Sequence, residues 1–270
     1  MPDPEPVALI TGASAGIGAA LANVFADHGH TLVLAARRAP QLKALADAIE
    51  ERGHARPHVV IIDLGQPDAA ARIEDELREC GLEAQLLVNN AGFGLMGLAA
   101  SLDRAQQLAM IDLNVRVLTE LSLRFVPSLT RHRGGILNVA SVASFMPGPG
   151  MAVYHATKAY VLSFSEALHR ELGGQGVRVT ALCPGPVETE FMTLAGIPEG
   201  NFPNLLVRSA VRVAQEGYDG LMRGRRVVVP GSANRAAVLL ARLMPRRGSR
   251  MRCGNAASSR SSWSTTPASV

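Results

Sequence analysis

Lysine is almost missing from this chain: 27 residues are Lys or Arg, and only Lys43 and Lys158 are lysines. In so arginine-biased a sequence a lysine is not a casual surface choice, which singles out Lys158. Acidic residues are missing from one end, since no Asp or Glu follows Asp219 whereas ten arginines do. The net charge of +4 comes wholly from that end, and the body before it is mildly acidic. Nucleic-acid binding needs a basic face on the folded domain, so it is not expected. Cysteine is scarce: Cys80, Cys183 and Cys253 lie far apart, odd in number and without metal-ligand spacing. Reduced thiols, no metal site and a cytoplasmic location are the expectation. No apolar run approaches the roughly 18 residues that span a bilayer, so no stable membrane span is expected. The opening Met1-Pro2-Asp3-Pro4-Glu5-Pro6 lacks the basic region of a secretory signal.

What is present is an alternation. Short aliphatic runs at 7–10, 31–35, 58–62, 85–88, 135–139, 177–182 and 226–229 read as buried parallel strands. Helix-compatible stretches at 16–28, 39–52, 67–80, 102–130, 153–172 and 209–223 lie between them. The expected fold class is α/β: a single domain over residues 1–245, with a doubly wound parallel sheet of about seven strands and helices on both faces. The alternation breaks over about 186–206, where Phe191, Met192, Leu194, Ile197 and Phe202 are interspersed with Gly and Pro. A long apolar loop in a compact domain reads as a lid or substrate wall. Residues 236–244 read as a short apolar helix that covers the sheet edge or joins an oligomer contact, with anchoring at a membrane interface as the alternative. Residues 246–270, rich in Ser and Arg without periodicity, read as a disordered tail.

Two motifs carry chemistry. Thr11-Gly12-Ala13-Ser14-Ala15-Gly16-Ile17-Gly18 follows the first strand and opens a helix. Glycines there let the backbone approach a dinucleotide pyrophosphate, which the positive helix N-terminus stabilises. Eighteen residues after Gly18, Ala36 stands where an acidic side chain would bind the ribose 2′-hydroxyl of NAD, and Arg37 and Arg38 follow. With no carboxylate to repel a 2′-phosphate and guanidinium groups to grip one, NADP is expected over NAD. The second motif is Tyr154-His155-Ala156-Thr157-Lys158 with Ser141 upstream. Residues four apart share a helix face, so Lys158 can lie beside Tyr154 and favour its phenolate.

Together these residues resemble the short-chain dehydrogenase/reductase family in its classical subtype, over about residues 7–230. The glycine turn, Asn89-Asn90-Ala91-Gly92, Ser141 with Tyr154-x-x-x-Lys158, and Pro184-Gly185 follow the family's order and spacing. The resemblance implies a Rossmann-type fold and a cofactor site of Gly12, Ser14, Ala15, Gly16, Ile17, Gly18, Arg37, Arg38, Asp63, Leu64, Asn90, Ala91, Gly92, Tyr154, Lys158, Pro184, Gly185, Val187 and Thr189. Asp63 would contact the adenine, Asn90 would support the ribose and the sheet, and Val187 and Thr189 would hold the carboxamide. Ala15 stands where some members place a basic residue. Catalytic roles are implied for Asn114, holding a relay water, and for Ser141, Tyr154 and Lys158. The segment from Phe191 to Pro245 also resembles a bacterial subgroup of uncharacterised oxidoreductases, through Val227-Val228-Val229-Pro230-Gly231 and Asn234-Arg235.

The implied chemistry is hydride transfer between a nicotinamide and a carbonyl or secondary alcohol. Tyr154 would act as general acid or base, Ser141 would orient the substrate oxygen, and Lys158 would supply charge and bind the ribose. The rivals are a silent NADP-binding sensor of the same fold, against which the intact Asn114, Ser141, Tyr154 and Lys158 argue, and a nucleotide-sugar epimerase, which the form of the glycine turn disfavours. A hydrophobic small-molecule partner follows from the apolar loop. A homodimer or homotetramer follows from the resemblance alone.

Overall fold

Runs of Val, Leu and Ile that are apolar on both faces can be buried only in the middle of a layered structure. A computed structural model, which describes residues 3–198 and 200–243, places them in one seven-stranded sheet. The strands are β1 (Glu5–Thr11), β2 (Leu32–Ala36), β3 (His58–Ile61), β4 (Leu82–Asn89), β5 (Gly135–Val139), β6 (Arg178–Leu182) and β7 (Val227–Val228). They run in the order β3-β2-β1-β4-β5-β6-β7, every pair parallel. The order reverses between β1 and β4, and the carboxyl ends of strands open a crevice at such a switch point.

Helices cover both faces. On one, α1 (Gly16–Asp27), α2 (Ala39–Glu51) and α9 (Ala210–Met222) bury Leu21, Phe25, Leu42, Ile49, Val213 and Leu221. Phe25 meets Tyr218 edge to face at 4.9 Å between ring centres. On the other, α3 (Ala69–Glu79), α5 (Leu118–Arg124), α6 (Val126–Arg131) and α7 (Ala152–Gly173) bury Ile73, Leu121, Leu129 and Leu168.

Three expectations change. The helix anticipated over 102–130 is broken into α4 (Arg104–Ile111), a π-helical turn Asp112–Val117, α5 and α6. Pro127 at the start of α6 supplies no N–H to continue the ladder, which accounts for the break there. The segment about 186–206 is not all loop, for it contains α8 (Glu190–Leu194). The last strand shrinks to Val227–Val228, shortly before Pro230. The short apolar helix is α10 (Ser232–Leu243), which packs against the 3-10 turn Val142–Phe145 and sets the Arg242 guanidinium 4.8 Å from the Phe145 ring centre. The tail 246–270 lies outside the described residues. No described helix is long and apolar enough to cross a membrane.

A buried polar chain crosses the middle of the sheet. Asn89 Nδ2 donates to Ser122 Oγ and Asn138 Oδ1, each at 2.9 Å, and Asn138 Nδ2 donates to Ser165 Oγ at 2.9 Å. It links α5, β4, β5 and α7 where hydrophobic packing alone would allow sliding. Asn138→Ala should lower stability by ~1–3 kcal/mol, because it leaves buried polar atoms unpaired. Urea unfolding should show a lower midpoint at an unchanged slope.

Candidate active site

The glycine turn is built against the end of β4. Thr11 Oγ1 donates to Val88 O at 3.1 Å and accepts from Asn90 N at 3.0 Å and Ala91 N at 3.2 Å. Asn90 Nδ2 in turn donates to Thr11 O at 2.9 Å and Gly12 O at 3.1 Å. Gly12 has φ +65, and a Cβ there would lie 2.8 Å from Ala91 Cα; one on Gly18 would lie 2.3 Å from Gly12 O. Only glycine fits at either place. Ala15 caps α1 in an extended conformation without a side-chain hydrogen bond, so the first-turn amides are open to an anion. A bare glycine cradle at the mouth of an uncapped helix fits a dinucleotide pyrophosphate.

The other predicted cofactor residues surround this cradle in different ways. Ser14 Oγ accepts from Arg38 Nε at 3.2 Å, and Arg38 Nη1 donates to Glu190 Oε2 at 2.8 Å. Arg37, next to it, is exposed. Asp63 accepts from Gly65 N at 2.9 Å in an exposed turn, whereas the side chains of Leu64 and Val187 point into the core, leaving only their backbone to meet a ligand. Ile17 also packs against the core. Thr189 stands over Gly16, where a Cβ would come within 3.2 Å of it. Pro184 O accepts from Val142 N at 2.9 Å, which ties the Pro184-Gly185 turn to the strand end that carries Ser141.

Asn114, Ser141, Tyr154 and Lys158 come from three separate elements. Asn114 sits in the π-helical turn, a distortion found often at functional sites. Its two amide hydrogens go to Phe93 O at 2.9 Å and Thr157 Oγ1 at 3.1 Å, and its Oδ1 accepts from Phe93 N at 3.1 Å. Those donors tie the 90–95 loop to α7. Ser141 caps the 3-10 turn, its Oγ accepting from Ala143 N at 3.1 Å. Tyr154 and Lys158 lie one turn apart on α7, with Lys158 Nζ 5.9 Å from the centre of the tyrosine ring.

Burial governs both groups. It pushes the Tyr154 phenol up to about 12, with the Ser141 hydroxyl pulling the other way. It brings the Lys158 ammonium down to about 8, opposed by the nearby Cys183 thiol. Lys158 Nζ donates to Val139 O at 2.8 Å. Desolvation thus favours the neutral form of both the Tyr154 phenol and the Lys158 amine. Cys183, itself raised to about 12 by burial, is a neutral core thiol.

Sequence reasoning missed Gly94 and named His155 and Asn234 without their contacts. Gly94 lacks a side chain where one would meet Phe191 Cζ at 3.0 Å, Tyr154 Cδ2 at 3.1 Å and Met151 Cε at 3.3 Å. Its missing side chain lets these three groups close over the backbone, and the Phe191 ring lies 5.6 Å from that of Tyr154. His155 Nδ1 meets Met146 O at 2.8 Å and so pins the loop before α7. Asn234 donates to Leu206 O at 3.1 Å and Pro230 O at 3.0 Å, anchoring the far end of the 186–206 segment. Only the Asn234-Arg235 pair had been visible as a pattern.

The sequence matches the profile described as short chain dehydrogenase over residues 6–196. It is 40% identical over 188 residues to sulfoacetaldehyde reductase 2 of Chromohalobacter salexigens, covering 68% of this chain and 74% of that protein. A short-chain dehydrogenase from Sphingobium yanoikuyae in complex with NADPH superposes with a TM-score of 0.78 at 35% identity, covering 93% of this chain and 98% of its own. One from Burkholderia phymatum in complex with NAD superposes with a TM-score of 0.77 at 26% identity, covering 89% and 94%.

A difference titration of wild type against Tyr154→Phe should show no phenolate absorbance from Tyr154 below pH 10, the usual tyrosine value, because its own value is raised. A Tyr154 phenolate forming near neutrality would contradict the dominance of burial.

Proposed function

The chain belongs to the short-chain dehydrogenase/reductase family, and on that premise we propose that it is an NADP(H)-dependent oxidoreductase acting on a carbonyl or secondary alcohol. The observation that carries the reading is the meeting of Tyr154 with Lys158, 5.9 Å from its ring centre, and with Phe191 at an apolar wall, in a chain that also builds a bare glycine cradle. A bound nicotinamide dinucleotide supplies the hydride. Gly12, Ser14, Ala15, Gly16, Ile17, Gly18 and Thr189 would hold its phosphates and nicotinamide end, with Asn90, Ala91 and Gly92 lining the other side. Gly92 has space for no side chain, since a Cβ would lie 2.7 Å from Asn114 Oδ1.

The work of this chain is proton transfer. Tyr154 donates its phenolic proton to the substrate oxygen as negative charge grows there, and Ser141 orients that oxygen. The phenolate left behind is stabilised by the Lys158 cation across the 5.9 Å to its ring. In the reverse direction the same phenolate takes the proton of an alcohol. Asn114 serves as a positioning residue, because it fixes Phe93 against α7. Phe191 and Met151, which close around Gly94 beside Tyr154, favour a hydrophobic ketone or alcohol.

The NADP preference rests on Arg37 and Arg38 and on the apolar Ala36. A 2′-phosphate at Arg38 would compete with the carboxylate of Glu190 now paired with it. Exposed Leu108, Leu123 and Tyr160, on neighbouring helices α4, α5 and α7, support the homodimer or homotetramer reading. The free thiols Cys80 and Cys183 fit a cytoplasmic location.

In a screen of ketones with NADPH, Tyr154→Phe should lose ~10²–10⁴-fold in kcat while still binding cofactor. Ser141→Ala should behave in the same way. Wild-type rates in Tyr154→Phe would refute the mechanism. For reduction, kcat/KM should hold at neutral pH and fall above about 8, because Lys158 is charged below that value and loses its proton above it. Ala36→Asp with Arg37→Ala should reverse the NADP/NAD ratio of kcat/KM. Glu190→Gln should tighten NADPH and leave NADH unaffected, as measured by fluorescence titration.

A further inference from the structure

Far from the crevice, three donors of different chemistry meet at the edge of the sheet. His58 begins β3, an edge strand, Glu76 lies on α3, and Cys80 caps the carboxyl end of that helix. Glu76 and Cys80 are four residues apart, one above the other on a helix face. His58 Nε2 is 3.3 Å from Glu76 Oε1 and 3.8 Å from Cys80 Sγ, and all three donor atoms lie within 4.8 Å of one another.

These separations can be compared with a coordination sphere. Zinc bonds of about 2.0–2.2 Å to nitrogen and oxygen and about 2.3 Å to sulfur put tetrahedral neighbours about 3.4 Å apart for N and O and about 3.6 Å for N and S. The imidazole already stands at such distances from both partners. We propose that His58, Glu76 and Cys80 bind one Zn²⁺, with water in the fourth position. An imidazole, a thiolate and a single carboxylate suit zinc or cobalt, whereas calcium and magnesium require mainly oxygen. The thiolate and carboxylate together balance the charge of the ion. Cys80 is exposed, so solvent reaches the cluster directly, and Glu76 also lines a cleft of about 280 Å³ beside β3.

This departs from the expectation of no metal. Sequence spacing concealed the site because its ligands are 18 and 22 residues from His58 and meet only when α3 folds back on β3. His58 lies at the amino end of its strand, opposite the carboxyl ends that form the crevice. The ion would therefore act as a clip between an edge strand and its covering helix and take no part in hydride transfer. Because it binds only the folded arrangement, it stabilises that arrangement by mass action.

The test uses the full-length, metal-free chain under reducing conditions, titrated with Co²⁺ and then with Zn²⁺. Wild type should bind one Co²⁺ with a near-ultraviolet thiolate charge-transfer band, and Zn²⁺ should displace it and raise Tm. Cys80→Ser should lose the band and Cys253→Ser should retain it. His58→Gln should weaken binding about tenfold or more and abolish the Tm gain. The three ligand side chains are partly exposed, so circular dichroism should confirm intact folds. A wild type without the band at micromolar Co²⁺, a band that survives in Cys80→Ser, or an affinity unchanged in His58→Gln would each overturn the site.

Discussion

The hydroxyl of Thr11 is the point on which the rest of the site depends. It serves three backbone groups of β4 and the following loop at once, while the Asn90 amide returns two hydrogen bonds to the turn. Five hydrogen bonds therefore hold the glycine turn against the strand where the sheet order reverses. Their closeness leaves no room for a Cβ at Gly12 or Gly18. The chain's own packing thus requires glycine at both places.

The same packing sets the electrostatics. Lys158 is 5% exposed, a cation deep in a chain that has almost no other lysine. Its hydrogen bond to Val139 O helps to offset desolvation, but burial still lowers its affinity for a proton. Burial has the opposite effect on Tyr154, favouring the neutral phenol.

The crevice is bounded by segments that are tied to one another rather than to the sheet. Met96 N donates to Ala195 O at 2.9 Å and Gly97 N to Gly150 O at 2.7 Å, so the 90s loop holds both the segment carrying α8 and the loop before α7. Val187 bridges Arg208, and Asn234 grips Leu206, which together close the base of the 186–206 excursion. At its tip, Phe191 reaches Tyr154 and Glu190 reaches Arg38. One short helix thus touches both Tyr154 and Arg38.

Local pattern determined the alternation of strands and helices, the placement of the glycine turn and the pairing of Tyr154 with Lys158, because periodicity and i,i+4 spacing are properties of neighbouring residues. It also marked Asn114, Ser141 and Asn90, though only through the family resemblance. Three-dimensional packing alone decided the break of the 102–130 helix into four pieces and the inward turn of Leu64 and Val187. The same holds for the close packing of Phe191, Tyr154 and Met151 on Gly94, the hydrogen bonds of Asn114 to Phe93 and the meeting of His58 with Cys80. Each of these depends on which distant residue occupies the adjoining volume. Burial, which sets the proton affinities of Tyr154 and Lys158, is likewise a sum over the whole surrounding fold and is not written in any short stretch of the chain.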